Sequence, residues 1–97
     1  MEYYNSKPEI TSKLIQDSIA STWSKYKEQR TESFYNTSQL TYFIFDNLFR
    51  VVRLRPELMK VTYDTLIQLN KREENIDMVQ HLENKKQEYF SKENLQY

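Results

Sequence analysis

Four stretches of the chain repeat apolar residues at helical spacing, and polar stretches holding Asn, Ser or Pro separate them. Ile15, Ile19, Trp23 and Tyr26 stand at i, i+4, i+8 and i+11, one face of an α-helix. Ile10 and Leu14 widen that stripe. Ser6-Lys7-Pro8-Glu9 supplies a start signal: a capping hydroxyl, a proline suited to a first turn, and a glutamate three residues past the cap. The first helix is therefore expected from there to about Gln29. Residues 31–38 are polar and without period. Phe34 and Tyr35 within them are expected to tuck onto the core, and Thr37 or Ser38 to cap the next helix.

The segment from Leu40 to Arg55 is the most apolar of the four. Its length and lack of alternation predict a helix rather than a strand, despite many aromatic and β-branched residues. Leu40, Phe43, Ile44, Leu48, Val51, Val52 and Leu54 cover a broad face, and Tyr42, Phe45 and Phe49 continue it round the cylinder. Asp46, Arg50 and Arg53 form the polar strip, with Asp46 and Arg50 spaced for a salt bridge. Ile44, Leu48, Val51 and Val52 are the expected core. Tyr42, Phe45 and Phe49, with Arg53 at their edge, are more apolar surface than one face of a bundle helix needs.

Arg55-Pro56-Glu57 ends this helix and opens a third, because a residue before proline avoids the helical region and proline suits the first helical position. The third helix, about 56–70, places Leu58, Met59, Tyr63, Leu66, Ile67 and Leu69 opposite Lys60, Asp64, Gln68 and Lys71. A turn is expected over 70–75, where Asn70 and Asn75 can both cap. The fourth helix, about 75–91, carries Ile76, Val79, Leu82, Tyr89 and Phe90, with Lys86 in mid-stripe, either snorkelling past the core or facing water. Residues 1–5 and 92–97 are expected to fray. Val61-Thr-Tyr-Asp-Thr-Leu-Ile67, followed by Asn75-Ile-Asp-Met-Val79, resembles one pentatricopeptide-type helix pair over about a third of the chain. The terminal glycine of that pattern is missing and the preceding residues do not repeat it, whereas such arrays need several copies. No RNA-reading residues are carried over.

The pattern amounts to an all-α chain: one domain spanning 1–97, a compact bundle of three to four helices with the apolar second helix at its heart. Composition narrows its chemistry. There is no cysteine, which excludes disulfides and thiol catalysis, and no glycine, which excludes Walker, Rossmann and nucleophile-elbow loops. With one histidine besides, no catalytic set assembles, so a non-enzymatic protein without cofactors or a small-molecule substrate is expected. Fourteen basic residues balance fourteen acidic ones, leaving no global field to recruit nucleic acid or anionic lipid. No apolar run is long enough to span a membrane, and no signal-peptide pattern opens the chain, so a cytoplasmic (or nuclear) protein is expected. Phe, Tyr, Met, Ile, Asn and Lys number 38 and Gly, Ala, Arg and Pro only 8, a skew that suits an AT-rich source such as a phage or mobile element.

Three sets of residues could bind a ligand or partner. Glu73, Asp77 and His81 line one helix face and offer three metal ligands, but no fourth is evident, so a solvated face is the expectation. Arg50, Arg53 and Arg55, with Lys60 nearby and aromatics interleaved, suit phosphate contact and base stacking, yet few local charges release few counterions. The aromatic set Tyr42, Phe45, Phe49 and Arg53 matches the residue types that anchor protein interfaces. A regulator, inhibitor or assembly factor that binds a larger protein there is the leading expectation. A nucleic-acid module using the arginines, or a structural homodimer, is the alternative.

Overall fold

Thr11 opens the first helix: its Oγ1 accepts from the Leu14 N–H at 3.1 Å. The computed structural model describes residues 10–29 and 36–95. Four helices account for most of them: α1 (Ser12–Gln29), α2 (Thr37–Val52), α3 (Pro56–Arg72) and α4 (Ile76–Leu95), with no strand among the described residues. The start signal at Ser6 and the aromatics Phe34 and Tyr35 lie outside the described residues.

Residue chemistry fixes each junction. The α2 cap is Asn36, not Thr37 or Ser38; its Oδ1 accepts from the Ser38 and Gln39 N–H groups. α2 stops at Val52 rather than Arg55, because Arg55 must adopt an extended backbone ahead of Pro56. α3 then starts with proline in its first turn. It ends in a Schellman turn: Asn75 N–H bonds Asn70 C=O at 3.0 Å, and Glu74 N–H bonds Lys71 C=O at 3.0 Å. That turn requires a left-handed residue, and with no glycine in the chain Glu74 takes it at φ 61°. α4 continues to Leu95, past the end expected near residue 91.

Long-range contacts set the helix directions. Arg55 reaches the Ile10 carbonyl and Lys27 pairs with Glu73, so α1 and α3 run parallel. Thr37 and Ser38 meet Asn75 while Arg53 meets Tyr89, so α2 and α4 run parallel to each other and opposite to α3. α3, not α2, is the centre: it packs on all three other helices and buries eight residues, against four on α2. The more apolar helix is the less buried one, because short turns at both ends of α3 fold a neighbour back onto it from each side.

Ile15, Ile19 and Trp23 of α1, Leu40, Ile44 and Val52 of α2, the α3 stripe, and Met78, Val79 and Leu82 of α4 form one core. Several expected core residues fall outside it. Leu48 is only half-buried, and Val51, Leu14 and Ile76 are exposed, Ile76 by 65%. At 100° per residue Ile76 lies roughly 120° round the helix from Leu82, too far to face α3. Met78, Thr41, Thr62 and Asn70 are buried in positions the apolar pattern did not assign. Asn70 is wholly buried and satisfied: its Nδ2 donates to Thr41 Oγ1 and Leu66 C=O, both at 2.9 Å, and its Oδ1 accepts from Asn75 Nδ2 at 3.2 Å. Lys86 snorkels to a 2.6 Å bond with Asp64, which also accepts from Lys60 at 2.8 Å. Burial alone would raise the Asp64 carboxyl, but the bonds from Lys60 and Lys86 outweigh it and hold the group below its ordinary value.

A candidate docking groove between α2 and α4

α2 and α4 both lie against α3 but barely touch each other. They are tied at their two ends. Asn75, which opens α4, donates to the Thr37 and Ser38 hydroxyls at 3.0 and 2.9 Å. At the far end the Tyr89 hydroxyl donates to the Arg53 carbonyl at 3.0 Å. Between these ties lies a groove of about 330 Å³. Tyr42, Phe45, Asp46 and Phe49 of α2 line one side, and His81, Leu82 and Lys85 of α4 the other, with Thr41 and Tyr63 also contributing.

The three aromatics that sequence reasoning singled out on α2 therefore share one groove, in unequal roles. Tyr42 is 47% and Phe49 40% exposed. Phe45 is half-buried, with its ring centroid 5.4 Å from Tyr63 and 5.6 Å from Phe49. The offset rings make a continuous aromatic wall. Tyr42 also meets His81 edge-on at 6.0 Å, an aromatic bridge between the groove's sides. Arg53 lies one turn past Phe49, beyond the lining; its backbone closes that end while its side chain is exposed and makes no bond or ion pair among the described residues.

Periodicity places Tyr63 in the core, and it is only 6% exposed, yet it lines the groove. Its hydroxyl has no hydrogen-bond partner among the described residues, and no fully buried side-chain polar atom lacks one, so that hydroxyl keeps contact with solvent. Burial pushes the Tyr63 phenol up from its ordinary value, and Tyr89 and Glu88 add to the effect. Nothing in the linear pattern marks Tyr63, His81, Leu82 or Lys85 as groove residues, because the groove arises from where α2 and α4 lean on α3.

Arg55 is held by Glu57, 2.7 Å away, and by the Ile10 carbonyl at 3.1 Å; Lys60 is held by Asp64. Only Arg50 and Arg53 of the basic set are uncommitted, and the anticipated Asp46–Arg50 ion pair is absent among the described residues. Glu73 pairs with Lys27 at 2.9 Å and His81 packs on Tyr42, so Glu73, Asp77 and His81 do not converge; among the described residues no three His, Cys, Asp or Glu could hold a metal. A larger depression of about 820 Å³ lies on another face of the α3–α4 hairpin, but its Lys60 and Lys86 are both committed to Asp64. Among the described residues no helix is long and apolar enough to cross a membrane. Compared with known proteins, the chain matches no family model, no curated protein and no solved structure.

Proposed function

We propose that this protein is a non-enzymatic binding module, a small regulator, inhibitor or assembly factor that docks a larger protein in the α2–α4 groove. The observation that carries this reading is the wall of Tyr42, Phe45 and Phe49: Phe45 packs against the core, while Tyr42 and Phe49 stay exposed beside the groove and outside the core. Large aromatics left exposed together lose the free energy of burial, and they are the side chains that dominate binding energy when a partner covers them. The same reading expects a cytoplasmic protein (or a nuclear one, if the source is eukaryotic), and its skewed composition suits a phage or mobile-element product.

The test is a double substitution, Tyr42→Glu with Phe49→Glu. Phe45 is left intact because its contact with Tyr63 makes it part of the fold. The variant should keep the helical circular-dichroism spectrum and melt within a few degrees of the parent, and lose proteins that the parent retains from a lysate of its own cells. Unfolding would mean that the two rings are structural, and unchanged retention would mean that the groove is not the docking site. Sedimentation of the parent addresses self-association: a dimer that the substitutions dissolve would assign the groove to a second copy.

A further inference from the structure

The groove has features that select among occupants. An extended segment would lay unpaired backbone N–H and C=O groups against aromatic walls, since no strand edge among the described residues is there to receive them. A helix satisfies its own backbone and can lie in a trough between two parallel helices. Asp46 of α2 lines the groove; Arg50 and Arg53 flank that lining on the same helix, and neither has an ion pair among the described residues, as is also true of Lys25, Lys71 and Arg72 elsewhere on the surface. On the α4 side Lys85 is only loosely held, 4.0 Å from Glu88. Tyr63 lines the groove, and its hydroxyl, which solvent reaches, is a polar anchor without a hydrogen-bond partner among the described residues.

We infer that the α2–α4 groove takes an acidic amphipathic helix of a partner protein, with its apolar anchors against Tyr42, Phe45 and Phe49, a polar group on the Tyr63 hydroxyl, and carboxylates facing Arg50, Arg53 and Lys85. This rests on the docking reading above and adds the chemistry of the partner. Apolar anchors at i, i+4 and i+7 of such a helix fit one aromatic wall, and flanking acids meet the cations along the rim.

The experiment is a selection from a display library of helix-forming peptides of 16 residues, the length of α2, against the full chain. The library fixes apolar residues at i, i+4, i+7 and i+11 and randomises the rest; affinities of the enriched peptides are then read by fluorescence anisotropy. Enriched sequences should be acidic beside the apolar stripe. Arg50→Glu with Arg53→Glu, or Phe49→Glu alone, should each weaken a selected peptide by about tenfold or more. Tyr63→Phe should weaken it several-fold with the melting temperature held, and salt should erode most of the advantage of acidic over neutral peptides. Enrichment of neutral or basic helices that still depend on Phe49 would overturn the acidic-helix inference and leave the docking groove standing. Enrichment independent of Phe49, or no enrichment, would overturn both. Binding of a single-stranded oligonucleotide that disappears with Arg50→Glu and Arg53→Glu would instead assign the rim to nucleic acid and overturn the inference.

Discussion

Asn70 offers the sharpest test of how this bundle is held together. It is wholly buried on α3 and makes three hydrogen bonds, to Thr41 of α2, to the Leu66 carbonyl, and from Asn75 at the start of α4. Asn70→Ala removes all three. Each is worth about 0.5–1.5 kcal/mol net, and the vacated volume adds a smaller cost. The neighbours are not left bare: Thr41 still donates to the Thr37 carbonyl at 2.7 Å, and Asn75 keeps the Thr37 and Ser38 hydroxyls. The expected loss is therefore about 2–4 kcal/mol, a large part of the roughly 5–15 kcal/mol available to a chain of this size. Urea unfolding followed at 222 nm measures it. Asn70→Asp adds a second arm with nearly the same shape. Its carboxylate cannot donate to Thr41 or Leu66, and burial raises its folded-state pKa above the unfolded value. A raised acid favours folding in its protonated form, so the penalty is smallest below the unfolded pKa near ~4 and grows as pH rises toward the folded value. The aspartate variant should thus be markedly less stable at pH 7 than at pH 4, relative to the parent, while the alanine variant should track the parent. An alanine cost below about 1 kcal/mol, or an aspartate penalty independent of pH, would refute this account of the α2–α3–α4 junction.

Three further outcomes follow from the packing and charge. Glu74→Gly should stabilise the protein by up to about 1 kcal/mol, since glycine takes the left-handed position of the α3–α4 turn without a Cβ clash; a loss of stability on thermal melting would argue against it. Leu66→Ala should cost about 2–5 kcal/mol and Ile76→Ala less than about 0.5 kcal/mol in the same unfolding assay, and equal costs would contradict the assignment of α3 as the centre. The Asp64 carboxyl is held below its unfolded value by Lys60 and Lys86, so its contribution is present above the unfolded pKa and is lost as pH falls through the folded one. Stability measured from pH 6 down to pH 2 should accordingly fall less steeply for Asp64→Asn than for the parent.

Much of the fold follows from local rules. Stripes such as Ile15–Ile19–Trp23 and Leu58–Met59–Tyr63–Leu66 place helices and their buried faces, and Pro56 fixes a boundary by its effect on Arg55. What local rules miss is which helix the others lean on. α2 has the most apolar sequence, yet α3 takes the centre, because short turns return a helix onto it at both ends and Asn70 ties the two together. Asn70 itself reads as a cap or turn residue by type, and only its tertiary partners explain why it is buried. The candidate site was half legible. Tyr42, Phe45 and Phe49 stand out as surplus apolar surface on one helix, whereas Tyr63 of α3 and His81 and Lys85 of α4 join them only through the way α2 and α4 flank α3.

In the proposed function a protein partner covers Phe49. Replacing Phe49 with the photo-reactive p-benzoylphenylalanine keeps an aromatic ring at that position, and Gln68, exposed on another face of α3, serves as the control site. Irradiation in the protein's own cells should give a discrete adduct with a larger protein from position 49 and none from position 68. No adduct from position 49, or the same adducts from both positions, would contradict the account.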